Sequence, residues 1–250
     1  MEGMMKGFSK ILVLAIILSF AMFGAAKAEE MNHMHKGKAA MEMHHFHMLM
    51  DHGMSMITEG SNMAMLAQMK MASGVDEKML HHGHHMMKEG KELIIQALNG
   101  PEMTAMMREH AKSPLMDYTH QLGEAMLKDA DILEKMSMED MSAPDMMTMH
   151  HMHMMINHAV QMATEGSDLM MLGNMDMAGA VDKMTVEHGK EMMNDAKSMV
   201  SDMMNGKEMM DMHSKGVKMD NPMMAMTHQQ GEAAMKVIDL LSNMPSAGSK

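Results

Sequence analysis

Histidine and methionine recur together at helical spacing along this chain, and the pair defines the chemistry open to it. In a helix, residues three, four and seven apart share a face, so His45, Met48, Leu49, His52 and Met56 form one stripe. His151, Met154, Met155, His158 and Met162 repeat it 106 residues later. An adjacent face carries His44, His47 and Asp51, matched by His150, His153 and Asn157. Further on, His82 with Met86 is paralleled by His188 with Met192, and Met116, His120 and Glu124 by Met224, His228 and Glu232. Met103, Met106, Met107 and His110 find a looser match in Met209, Met212 and His213. His85 closes the run His81-His82-Gly83-His84-His85, in which only His82 has a His counterpart.

Thioether sulfur is a soft, neutral donor that does not protonate in the ordinary pH range. It selects Cu(I) or Ag(I) over hard cations, and added imidazole extends the choice to Cu(II). Several Cu(I) ions are therefore the expected ligands, with Ag(I) and Cu(II) as secondary candidates. Zn(II) and Ni(II) prefer imidazole and carboxylate, which suits the run from His81 to His85 but leaves the methionines unexplained. The competing reading is that Met at helical spacing fills a core flexibly. Leu specifies a core better, and imidazole adds nothing to an apolar interior, so packing explains only part of the 53 Met among 250 residues. Met71, Met138 and Met219 also stand beside charged residues, where burial is not expected.

The elements that must position these donors come in two copies. Residues 41–106 align without a gap on 147–212, and 29 of the 66 pairs are identical. After a two-residue slip, Thr119-His120-Gln121 matches Thr227-His228-Gln229 and Gly123-Glu124-Ala125 matches Gly231-Glu232-Ala233. Met favours helix and β-branched residues are few, so strand patterns never develop. Gly60-Ser61-Asn62 and Gly74-Val75-Asp76 read as breaks followed by helix starts. Asn99-Gly100-Pro101 and Ser113-Pro114 read as stops followed by new helices. Helices are expected near 41–59, 62–72, 76–98, 102–112 and 115–136, with counterparts 106 to 108 residues later. The expected fold is all-α: two tandem homologous antiparallel bundles of four to five helices each, at 41–137 and 147–244. Residues 138–146 then form a linker containing Pro144, and residues 29–40 a mobile tail.

Composition narrows the function further. Ile, Leu, Val and Phe number 37, or 15%, which with a formal charge of −12 would ordinarily mark a disordered chain. Either Met replaces the usual core residues or a ligand supplies order. The absence of Cys excludes disulfides, thiolate metal sites, a Cys nucleophile and covalent c-type haem. An acidic balance with only five Phe and Tyr residues and no Trp argues against a nucleic-acid partner. The zinc-protease H-E-x-x-H pattern, a phosphate loop and a nucleophile elbow are all missing. The carboxylate-bundle Glu-x-x-His motif at Glu42-Met43-His44-His45 is lost in the second copy, where Thr148 replaces Glu42. The chain is accordingly not expected to be an enzyme.

Residues 1–28 have the form of an export signal. Lys6 and Lys10 precede an apolar run from Ile11 to Phe23, and Ala26-Lys27-Ala28 supplies the small residues of a cleavage site. The run spans about 13 residues where a membrane helix needs roughly 20, so no stable membrane insertion is expected after cleavage. The product is expected in the periplasm or another exported compartment. All 19 His and 49 of the 53 Met lie beyond the signal. At about three donors per ion they set a ceiling of about 22 ions and a working capacity of order ten, which points to storage or buffering. Because metal would cross-link neighbouring helices, binding energy becomes folding energy: a loose apo bundle and a compact loaded one are expected.

In its signal peptide, its lack of Cys and its abundant Met with interspersed His, including the MxxH-type Met79-Leu80-His81-His82, the chain resembles the Met/His-rich periplasmic copper- and silver-binding proteins of bacterial metal resistance. In architecture it is similar to the bacterial copper storage proteins, four-helix bundles lined with Cys, with Met and His in place of thiolates. Both resemblances imply metal storage for copper homeostasis or resistance, and a copper exporter or chaperone is the candidate partner. A Met-based oxidant scavenger and a Met-rich protein-interaction module are the alternatives from other classes. Amino-terminal sequencing of the exported protein is expected to begin at Glu29; recovery of a soluble chain still beginning at Met1 would remove the export reading.

Overall fold

The computed structural model describes residues 41–110, 114–138, 146–175, 177–214 and 222–244. The signal segment 1–28, the tail 29–40 and all of the 138–146 linker except Met138 and Met146 lie outside them. Eight α-helices and no strand occur among the described residues: α1 over 41–68, α2 Asp76–Asn99, α3 Pro101–His110, α4 Pro114–Met136, α5 Met146–Asn174, α6 Asp182–Asn205, α7 Lys207–Ser214 and α8 Pro222–Ser242. A short 3-10 turn, Gly179–Val181, precedes α6. The fold is all-α, with four helices per copy. No helix among the described residues is long and apolar enough to cross a membrane.

Local chemistry explains most boundaries. Asp76 Oδ1 accepts the Ala72 N–H at 2.8 Å, and its counterpart Asp182 accepts the Ala178 N–H at 2.6 Å, so each copy closes the turn before its second helix in the same way. Gly74 and Gly179 supply positive φ there, 91° and 65°. Gly100 is extended and ends α2, and Pro101 opens α3 without sacrificing a helical N–H. Pro114 and Pro222 begin α4 and α8 in the same manner.

The break expected at Gly60-Ser61-Asn62 does not occur. Helix α1 runs through it, and α5 runs through the matching Gly166-Ser167-Asp168. Glycine is needed here for helix approach: a Cβ on Gly60 would lie 2.5 Å from the Gly83 carbonyl oxygen, and one on Gly166 2.7 Å from that of Gly189. One heptad along, Gly53 faces Gly90 in the same way, at 2.7 Å. The small residues thus bring α1 against α2 and α5 against α6 as antiparallel pairs, almost backbone to backbone.

Residues His45–Lys250 form one compact unit in which the two copies share an interior. Helix α8 lies against α4, α5 and α6, and α4 lies against α2. Helices α1 and α5 meet in antiparallel fashion along a polar seam, where the Gln161 amide donates to Thr58 Oγ1 at 2.9 Å and the Asn157 amide to Asn62 Oδ1 at 2.7 Å. The Gln230 amide of α8 in turn donates to Asn157 Oδ1 at 2.7 Å. In the interior, Met50, Met54, Met65, Met126 and Met136 are wholly buried, as are Ile57, Ile94 and Leu133. Methionine therefore does occupy the place of the usual core residues.

Gly60→Ala and Gly166→Ala are each expected to lower stability by about 1–3 kcal/mol, the usual scale for forcing atoms into a closed contact. Urea unfolding followed by circular dichroism measures this; an unchanged midpoint in both variants would refute the close helix contact.

Candidate metal centre

The His/Met stripes separate into outward and inward sets. His45, Met48 and His52 are exposed and Met56 is half-buried; His151 and His158 are exposed while Met154 and Met162 are half-buried. His82, His85 and His188 are exposed, and Met86 and Met192 half-buried. His85 Nε2 lies 3.3 Å from Glu89, and His188 Nδ1 4.0 Å from Glu191. The first stripe of each copy therefore covers the outside of its bundle, and the adjacent faces bearing His44, His47, His150 and His153 are buried. The same 3.6-residue period serves either face, so spacing alone did not say which one turns inward.

Inward, Met106, Met116, Met212 and Met224 are buried. His120 and His228 are half-buried, each with a buried Nε2 that has no hydrogen-bond partner. The His213 and His228 rings meet at 5.8 Å between centroids and 34° between planes. Burial lowers the His228 pKa, with the neighbouring His213 charge adding to it and Glu232 opposing. Of the set Met212, His213, Met224 and His228, the two imidazoles are thus in mutual contact. The His110 side chain lies outside the described residues.

His150 and His153 stand one turn apart on α5. Burial, then the charge of His151, lowers the His150 pKa; burial, then His150, lowers His153 to about 3. Both rings are neutral at ordinary pH and so carry a basic nitrogen. Neither His150 nitrogen has a hydrogen-bond partner, nor does His153 Nδ1. A buried polar atom left unpaired costs roughly 1–3 kcal/mol, so five such nitrogens on His120, His150, His153 and His228 are a feature the fold does not satisfy by itself.

The donor set fits a soft cation. Among the described residues no group of three or more His, Asp or Glu gathers to hold an ion. Cys is absent, and neutral imidazole with thioether suits Cu(I) or Ag(I) better than Zn(II) or Ni(II).

Sequence reasoning missed several inward residues. Thr119 and Thr227 bond the buried His47 and His153 at 2.9 and 2.7 Å; their recurrence in the repeated Thr-His-Gln triplet was the available signal. Met171 reaches His47 from the other copy, with Sδ 3.3 Å from Nδ1, and no spacing along one helix encodes that contact. Asp51 faces Asp168 across the seam, and burial followed by that neighbouring charge raises the Asp51 pKa well above the usual range. Asp129 is fully buried in α4 with both oxygens unpartnered, at the position where the second copy has Val237.

Chain and site together define an internally duplicated all-α protein whose interior is lined with methionine and partly unsatisfied histidine. Comparison with protein-family models, with curated proteins and with solved structures finds no match to this chain.

Burial lifts the Asp129 pKa from 3.8 to about 7. Between those pH values the native state keeps a proton that the unfolded chain has lost, so this group makes stability fall as pH rises through that window and leaves it low above. Asp129→Val is expected to raise stability at pH 8 by up to about 4 kcal/mol and to flatten the decline between pH 4 and 7. Urea midpoints across that range measure it, and identical profiles for both proteins would refute an ionisable, unpaired Asp129.

Proposed function

We propose that this chain is an exported protein that sequesters or stores several Cu(I) ions, and accepts Ag(I), for copper homeostasis or resistance. The observation that carries the reading is the matched pair His120 and His228: at equivalent positions of the two copies, each keeps a buried Nε2 without a partner, one helical turn after a buried Met, Met116 and Met224. A core built only for packing gains nothing from an imidazole nitrogen left unsatisfied, and still less from repeating it. A soft cation is the partner that both the nitrogen and the neighbouring thioethers accept.

The inward donors hold cargo away from water, and the outward stripes offer weaker, accessible positions through which ions enter and leave. A copper exporter or chaperone would draw on those outward positions. No catalytic role is assigned to any residue. Oxidant scavenging is the second reading, and the observation favouring it is exposure: Met41, Met71, Met138, Met147, Met184 and Met210 are each more than half exposed, where sulfoxide forms readily. That reading leaves the buried imidazoles unexplained.

Anaerobic Cu(I) titration of the full chain against a chromophoric competitor is expected to show of order ten bound ions and a thermal midpoint that climbs with loading. Fewer than about two tight ions, together with reductase-dependent consumption of oxidant, would replace storage with scavenging. An unchanged midpoint at full loading would refute the coupling of metal to folding.

A further inference from the structure

Two histidines one turn apart on α5 have ring nitrogens left without hydrogen-bond partners inside the protein. His150 is 5% exposed and His153 is wholly buried. Both His150 nitrogens and His153 Nδ1 are unpartnered. Helix α8 fixes the tautomer of the second ring. Thr227 Oγ1 lies 2.8 Å from the Met223 carbonyl oxygen, an acceptor only, so the hydroxyl proton points there. The same Oγ1 lies 2.7 Å from His153 Nε2 and accepts its N–H. The neutral imidazole therefore keeps its lone pair on Nδ1. Burial holds the His153 pKa down to about 3, so no proton competes for that lone pair at ordinary pH. The counterpart nitrogen of the first copy, His47 Nδ1, has Met171 Sδ at 3.3 Å; His153 Nδ1 has no such neighbour.

We propose that His150 and His153 Nδ1 chelate one soft monovalent cation at the buried face of α5. Helical geometry suits this. Side chains three residues apart have Cβ atoms about 5–6 Å from each other, a span that two metal–nitrogen bonds of about 2.0 Å close. Nδ1 is bonded to the ring carbon nearest the backbone, so it stays close to its own helix and within reach of the side chain one turn back. His150, with both nitrogens open, supplies either one. Charge and ligand number select the ion. Among the described residues no third His, Asp or Glu joins the pair in a group able to hold a metal, whereas Zn(II) takes three or four protein ligands. A divalent charge buried without an anion also costs more than a monovalent one. Cu(I) and Ag(I) carry the smaller charge and accept imidazole. Thr227 is a positioning residue: it decides that Nδ1, and not Nε2, is the donor.

The α5 site rests on the soft-metal reading above, and the test separates the two. The full chain, carrying 15N histidine with its signals assigned, is titrated anaerobically with Ag(I) as a diamagnetic probe. In parallel, Cu(I) stoichiometry is measured for the natural chain, His150→Gln, His153→Gln and the double variant. His153 Nδ1 and one His150 nitrogen are expected to shift together at the same equivalent of Ag(I), while His153 Nε2 keeps its proton. Because one ion is shared, each single variant and the double variant are all expected to bind about one fewer tight Cu(I). Thr227→Val is expected to change the 15N tautomer signature of His153; an unchanged signature overturns its positioning role. If the two rings shift at different equivalents or not at all, or if the double variant loses two ions or none, the α5 site is wrong while a natural chain that binds several ions keeps storage standing. The titration of the natural chain decides this even where a variant does not fold. If excess Zn(II) moves the same two signals, the preference for a monovalent ion is wrong. If the natural chain binds one ion only, and either single variant abolishes it, the α5 site stands and storage is wrong. Absence of any tight binding overturns both.

Discussion

Each of the two seam threonines has a single hydroxyl proton, and each gives it to a carbonyl one turn back on its own helix. In the second copy the Thr227 hydroxyl can then only accept, so His153 presents Nε2–H and turns its unpartnered Nδ1 the other way. This couples α1 to α4 and α5 to α8 by one short, directional bond in each copy. In the second copy it also buries the His153 imidazole with an unpartnered Nδ1. Burial makes the arrangement demanding, because a polar atom taken from water must find a partner or weaken the fold. The shape of the seam, and the interest of its nitrogens, both follow.

The duplication shows which parts of this arrangement are general. The seam is built around an approximate two-fold relation: Asp51 beside Asp168 is echoed by Asn157 beside Asn62. The amide pair closes a hydrogen bond and extends it to Gln230. At the carboxyl pair, burial raises the Asp168 pKa to about 6, with the hydrogen bond to Asp51 opposing and the charge of Glu165 adding to it. Where copy two has Val237, copy one has the buried Asp129. The first copy thus carries the buried carboxyls Asp51 and Asp129, and the second carries four of the five unpartnered imidazole nitrogens. Close glycine contacts, by contrast, recur in both copies and hold each long helical hairpin together regardless of these differences.

Much of the fold was legible before any helix was placed. Prolines at helix starts, the Asp76 and Asp182 turns and the Asn99-Gly100-Pro101 stop act over a few residues, so local sequence carries them completely. Gly60 was misread because glycine has two uses, breaking a helix and letting another backbone approach, and only the presence of Gly83 opposite it decides between them. The candidate site was legible by composition and less so by face. His47, His120, His153 and His228 were recognisable as donors, yet the stripe His45, Met48, His52 and Met56 faces outward because the neighbouring face, with Met43, Phe46, Met50 and Met54, is the more deeply buried.

By itself the sequence determined the all-α class, the duplication and the soft, thiol-free donor chemistry, since these depend on residue type and on periods within one helix. The tertiary structure alone decided which histidines lose water, which of their nitrogens keep a lone pair, and that a methionine 124 residues away along the chain faces one of them. The physical reason is that burial and tautomer are set by the partner a side chain meets across an interface. In this protein the decisive interface joins two copies whose contact no spacing within either copy records.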